Sequence, residues 1–176
     1  MAKDIQIAKI DAARRQLETA IDLYFRAGDV IAVHTLAAAA RNVLANLCAH
    51  RDVISVLQIE HWVEEYIKPE HHGMIHKRFR APENFFKHAD RDPEEVLTFN
   101  PEASEYWLIE AVEAYSALTN EEPPLFKAYR AWWMIHHPDL LKEIPSQLQF
   151  LLQNVRYAPN ERAKFIRDFM KALYDQ

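Results

Sequence analysis

Apolar residues recur along this chain at the three- and four-residue steps of a helix almost from its first residues. Ile7, Ile10, Leu17, Ile21, Tyr24 and Phe25 fall on one face, which predicts a first helix over about residues 4–26. Gly28 and Asp29 then read as a short turn, with Asp29 placed to N-cap a second helix that runs to about Cys48. Ala37, Ala38, Ala39 and Ala40 occupy its middle, and side chains that small let a neighbouring helix come close. The two segments therefore predict an antiparallel helical hairpin.

Further along, the pattern is less uniform. Val53, Ile54, Val56, Leu57 and Ile59 fit a buried helix or a short extended piece equally well. Pro69 suits the first turn of a third helix reaching towards Arg78, and Pro82 is expected to end or kink it. Glu83 then opens a new helical segment reaching His88, and residues 90–100 read as a loop. Asn100-Pro101-Glu102 caps a strong helix carrying Tyr106, Trp107, Ala111, Ala114 and Leu118, broken between Asn120 and Pro124. Phe126, Tyr129, Trp132 and Trp133 mark the next helix, stopped at Pro138. Leu140, Leu141, Ile144, Leu148, Leu151, Leu152 and Val155 follow, with Pro145 placed to split them. Pro159 opens a last helix bearing Phe165, Ile166, Phe169, Met170 and Leu173. With no internal repeat, low-complexity tract or flexible linker, the expected fold is all-α, a bundle of about seven helices forming one domain over residues 1–176.

Composition narrows what such a bundle can do. Gly28 and Gly73 are the only glycines, which excludes a phosphate-cradling P-loop, a dinucleotide-binding turn and a glycine-rich nucleophile elbow. The net charge of −5 argues against non-specific nucleic-acid binding by the whole surface but leaves room for a local basic patch. Cys48, the single cysteine, follows Val43, Leu44 and Leu47 and reads as a small core residue. The first four residues lack the apolar run of a signal peptide, and no stretch approaches the roughly 20 apolar residues of a membrane span. A cytoplasmic protein without membrane partners is the expectation.

Chemistry gathers between His72 and Asp92. Between Lys77 and Arg91 the five cations Lys77, Arg78, Arg80, Lys87 and Arg91 stand against only Glu83 and Asp90, and Phe79, Phe85 and Phe86 lie among them. Basic residues interleaved with aromatics suit a phosphate backbone with a base stacked on a ring. An Arg with a His can also stabilise and transfer protons at a phosphodiester. The bland reading is a helix end supplied with cations, each worth about 0.3–1 kcal/mol against the dipole, over core phenylalanines.

His72 and His76 stand at i, i+4, the spacing that puts two imidazoles on one helical face, as a metal site requires. A third ligand would have to come from Glu70, His88 or Asp90, and neither an HExxH motif nor the ExxH pairs of di-iron bundles are written. No cofactor is expected, with a divalent metal as the alternative. His34 and Arg41 share a face of the alanine-rich helix two turns apart and need partners, for which Asp90 or His88 would serve. His136 and His137, at a helix end before Pro138, read as structural. No serine stands in a nucleophile motif, and Cys48 has no activating neighbour in register.

The string Asn84-Phe85-Phe86-Lys87-His88-Ala89-Asp90-Arg91-Asp92-Pro93, with Val33-His34-Thr35-Leu36-Ala37 upstream, resembles a group of uncharacterised bacterial all-helical proteins over most of the chain. A more distant similarity is to HEPN domains, helical bundles often found as RNA-directed nucleases or their inert relatives. Their motif is an Arg followed by a polar residue, with a His a few positions on. The nearest counterparts are Arg80 and His88, although Ala81 follows Arg80, the spacing is longer and Pro82 interrupts.

Together these features predict a helical binding domain that uses the neighbourhood of His34, Arg41, Arg80, Asn84, Lys87, His88 and Asp90. Its partner would be a small ligand or a nucleic acid. The alternatives are a metal-dependent or RNA-cleaving hydrolase built on the same residues, and a purely structural, dimerising protein. Trp62, Trp107, Trp132 and Trp133 favour a homodimer, because exposed tryptophan often marks an interface.

Overall fold

The apolar stripes become helices in a computed structural model that describes residues 4–53, 67–88, 90, 93–141 and 157–175, with all their side chains except those of 76–81. In chain order these are α1 (Lys9–Phe25), α2 (Val30–His50), α3 (Pro69–Lys87), α4 (Ala103–Thr119), α5 (Pro124–His136), a 3-10 turn (Pro138–Leu140) and α6 (Arg162–Tyr174). The fold is all-α. Among the described residues the only β feature is an isolated antiparallel bridge between Ile67 and Leu141.

α1 begins later than its apolar pattern suggests. Ile5 and Ile7 are exposed, so they bury nothing that would hold the chain helical before Lys9. The far end of α1 closes as a Schellman motif. Gly28 N–H donates to the Leu23 carbonyl at 2.8 Å and Ala27 N–H to that of Tyr24 at 3.2 Å. The left-handed position of this motif is filled by Ala27, with φ of 53°, rather than by glycine. A Cβ in that region costs about 1 kcal/mol, so Ala27→Gly is expected to stabilise the protein by about that amount. Chemical denaturation of the two proteins checks it. Gly28 serves a different need, because a Cβ there would meet Leu23 Cδ2 at 3.0 Å and the Leu23 carbonyl oxygen at 3.2 Å.

α2 starts where the turn predicts. The Asp29 carboxylate accepts from Ala32 N–H at 2.8 Å, an N-cap that satisfies one orphan donor. Ala37, Ala38 and Ala40 are buried, and α2 lies along both α1 and α4. By length and composition α2 is the one described helix apolar enough to cross a membrane, a test that the core helix of a soluble protein also passes. Its buried face is covered here by neighbouring helices, and Cys48 lies within the core, where burial pushes its thiol up to about 11.

α4 is the centre of the bundle. Every residue from Ala103 to Val112 is buried, and α1, α2, α3 and α5 all pack on it. Trp107, Trp132 and Trp133 are buried in the same core, so none of the three is the exposed interface residue that the homodimer expectation invoked. Trp62 and most of the 52–59 stretch lie outside the described residues, as does the apolar run from Ile144 to Val155.

The third helix departs from expectation. One helix runs from Pro69 to Lys87 with Pro82 inside it, where two shorter segments were predicted. An internal proline removes one backbone hydrogen bond and crowds the preceding turn, at a cost of about 3 kcal/mol. Packing offsets that cost. Pro82 is buried, Phe86 meets Phe99 edge-on, and Glu83 is tied to both Asn42 and Lys87. Lys77, Arg78 and Arg80 therefore lie inside the helix rather than in its last turn.

Candidate functional site

A helix buried nearly all round must find a partner for each polar side chain it carries. α4 carries Ser104, Glu105 and Glu110, exposed to 2%, 8% and 1%. Each is met by a group from another part of the chain.

Glu105 is the hub. Its carboxylate accepts from Tyr24 Oη at 2.7 Å, from His137 Nε2 at 2.7 Å and from Arg162 NH2 at 3.3 Å. Tyr24 Oη in turn accepts from Trp132 Nε1 at 2.9 Å, and Tyr129 Oη donates to the Glu105 carbonyl at 3.0 Å. The Arg162 guanidinium carbon lies over the Tyr24 ring, 4.0 Å from its centroid. Burial alone would raise the Glu105 carboxyl, but the hydrogen bonds from His137 and Tyr24 and the nearby charges hold it below the usual range. Burial and the adjacent carboxylate push the Tyr24 phenol far up, so it remains a neutral donor.

Ser104, one residue earlier, faces α2. Its Oγ is 3.1 Å from His34 Nδ1, and His34 is fully buried with Phe86, Phe99 and Trp107 edge-on around its ring. Burial pulls the His34 imidazole down to about 4, against the opposing charge of Glu83. A neutral ring carries one N–H, and Nε2 has no hydrogen-bond partner among the described residues. The contact runs from the Ser104 hydroxyl to Nδ1 in the Nε2–H tautomer and from Nδ1–H to Ser104 Oγ in the other.

Both sets converge on a cleft of about 280 Å³ at the corner between α1 and α2, closed by the first turn of α4 and the start of α6. Val30, Val33, Pro101 and Tyr24 give it apolar walls, and Asn100, Glu102, Ser104 and Arg162 give it polar ones. Gly28 completes the corner. Among the described residues Arg162 spends only NH2 on an acceptor, while its Nε is buried without one. An arginine with unused donors at the wall of a cleft is the feature that distinguishes this place.

The residues singled out in the sequence fall elsewhere, in part together. Arg41 pairs with Glu110 through Nε at 3.2 Å and NH2 at 3.1 Å, and covers the Trp107 ring at 4.9 Å. Beside it, Glu83 accepts from Asn42 Nδ2 at 2.6 Å and Lys87 Nζ at 2.7 Å. Burial opposes ionisation of Glu83, but these partners and the Arg41 charge hold its carboxyl low. His34 lies behind this α2–α3 seam, reaching it through Phe86. Asn84, His88 and Asp90 are exposed, with the last two 4.0 Å apart. The side chains of Arg80 and His76 lie outside those described. His72 donates from Nε2 to the Ile67 carbonyl at 3.0 Å, which occupies one of its two possible ligand atoms. No group of three or more His, Cys, Asp or Glu suited to a metal occurs among the described residues.

Tyr24, Ser104, Glu105, His137 and Arg162 were missed as site residues. The available signal was in α4 itself, where Ser104, Glu105 and Glu110 interrupt the apolar run of its first ten residues. Compared with known proteins, the chain matches no family model, no curated protein and no solved structure.

Proposed function

We propose that this chain is a cytoplasmic helical domain that binds a small molecule in the cleft between the α1–α2 corner, the start of α4 and Arg162. The observation that carries this reading is Arg162. Its guanidinium is fixed by Tyr24 and Glu105, yet NH1 has no acceptor among the described residues, and Arg162 lines a cavity. Pre-fixed donors in a concave, mostly apolar site are what orients a small ligand. At about 280 Å³ the cleft suits a compact molecule rather than a polymer.

Binding is better supported than acyl transfer. Ser104 and His34 have the contact of a nucleophile and its base, but a general base works best with a pKa near the operating pH. His34 sits at about 4, its Nε2 meets aromatic rings rather than a carboxylate, and its proton affinity is correspondingly weak. Nor do the described cations of the α3 end offer themselves to phosphates, because Lys87 is held by Glu83.

Titration of the ¹⁵N-labelled protein with a set of small polar fragments tests the reading. Binding fragments are expected to move the amides of Gly28 and Ser104 and the side-chain Nε–H of Arg162. Arg162→Ala is expected to weaken them about 10- to 100-fold, the worth of a hydrogen bond to a charged donor. Fragments that instead perturb Asn42, Glu83 and Lys87 would move the site to the α2–α3 seam and overturn the proposal.

A further inference from the structure

Which charge the cleft accepts follows from which of its groups are already engaged, given that the cleft is the ligand seat. Among the described residues Arg162 is the cation at its wall, and it is half-buried. Glu105 is its counter-ion, but that carboxylate is spread over three donors. Tyr24 Oη and His137 Nε2 reach it at 2.7 Å, while Arg162 NH2 has the longest contact at 3.3 Å. NH1 has no acceptor among the described residues. A guanidinium partly removed from water and loosely paired gains most from a charged oxygen, because charge-assisted hydrogen bonds are about twice as strong as neutral ones.

Asn100 adds a second donor. Its Oδ1 accepts from the Glu102 N–H at 3.0 Å, which fixes Nδ2 as the remaining amide atom. Nδ2 spends one long contact, 3.4 Å, on Glu102 Oε2 and keeps a second hydrogen. The start of α4 also favours negative charge through its dipole, although it offers no free N–H. Those of Ala103, Ser104 and Glu105 donate to the carbonyls of Asn100, Pro101 and Glu102. Glu102 opposes an anion, but it is exposed to solvent and engaged both by Asn100 and in a further interaction. Ser104 Oγ is shared with His34, and its proton can lie on either side of that contact, so it does not choose between ligands. Against a cation stand the guanidinium and the dipole together.

Val30, Val33 and Pro101 line the rest of the cleft with hydrocarbon, and its volume of about 280 Å³ limits the body of a ligand to one ring or a short branched chain. From this we infer that the ligand is a small monocarboxylic acid bound as its anion. Its carboxylate lies on the Arg162 guanidinium with Asn100 Nδ2 as the second donor, and its hydrocarbon body lies against Val30 and Val33.

Four probes separate the classes: benzoate, benzamide, benzylammonium and inorganic phosphate, each titrated into the ¹⁵N-labelled protein near pH 7 at one ionic strength. Benzoate is expected to bind about tenfold more tightly than any of the others, with shifts at the amides of Gly28 and Ser104. Arg162→Gln, which drops the charge and keeps an N–H₂ donor, is expected to remove the preference for benzoate over benzamide. Val30→Phe, which enlarges a side chain at the partly exposed rim, is expected to abolish binding while leaving the folded spectrum intact. If benzamide, benzylammonium or phosphate binds as tightly as benzoate and moves the same amides, or the preference survives Arg162→Gln, the ligand class is wrong and the cleft stands. If no probe moves those amides, or benzoate binds Val30→Phe as well as wild type, both the class and the cleft fall.

Discussion

Glu105→Ala is expected to destabilise the protein by about 3–5 kcal/mol, a drop in Tm on the order of 10 °C for a chain of this size. The carboxylate is nearly buried and accepts from three groups that are donors in this arrangement, namely Tyr24 Oη, His137 Nε2 and Arg162 NH2. Without it, the half-buried Arg162 guanidinium loses its paired carboxylate, and the buried Tyr24 hydroxyl and the His137 N–H are left without their acceptor. Glu105→Gln should cost less, since the amide keeps the volume and one acceptor oxygen, but it turns an N–H₂ towards other donors. The effect depends on pH with a definite sign. The folded-state carboxyl lies below the ordinary value of 4.5, so its contribution is present in full above that value and is lost as pH falls through the lowered one. Urea unfolding of the wild type and both variants at pH 7 measures the loss. A Glu105→Ala protein within about 1 kcal/mol of wild type would mean that the hub does not hold α1, α4, α5 and α6 together as described.

The second large effect comes from His34 and occupies a different pH window. An imidazole near 6.5 in the unfolded chain is held at about 4 in the folded protein. Between those values the unfolded chain takes up a proton that the native state refuses, so stability falls as pH falls from about 6.5 to about 4 and is level above it. The gap corresponds to about 3 kcal/mol. His34→Phe removes the titrating group and keeps an aromatic ring among Phe86, Phe99 and Trp107. Its Ser104 hydroxyl loses a partner, which costs a constant amount at every pH. Unfolding free energies at pH 7 and pH 4.5 should therefore converge for His34→Phe relative to wild type. Parallel pH profiles would show that His34 is not the acid-sensitive group.

How much of this was readable from residues alone divides along the range of the interactions. The α1–α2 hairpin was legible because its determinants are local, with an apolar stripe, small residues in α2 and an Asp29 cap three residues from the N–H it binds. The continuity of α3 through Pro82 was not, since the proline penalty is local while the packing that offsets it comes from α2 and from Phe99. The hub around Glu105 was further out of reach. Its three donors lie 81, 32 and 57 residues away along the chain, and nothing in periodicity pairs them. His34 and Arg41 were rightly seen to need partners, but the partners are Ser104 and Glu110 rather than His88 or Asp90. His136 and His137 read as helix-end residues, and His136 does contact two backbone carbonyls, of Trp132 and Tyr157. His137 instead reaches Glu105, a contact that requires α4 and α5 to be already packed.

The central claim is that Arg162 and Ser104 present a ligand seat at the α1–α2 corner. A crystal of the protein soaked with small polar fragments tests it most directly. Density is expected in the cleft, with a polar fragment atom within hydrogen-bond distance of the Arg162 guanidinium. Density in the groove beside Pro123, Pro124 and Met170, or along the α2–α3 seam, with the cleft left to solvent, would contradict it.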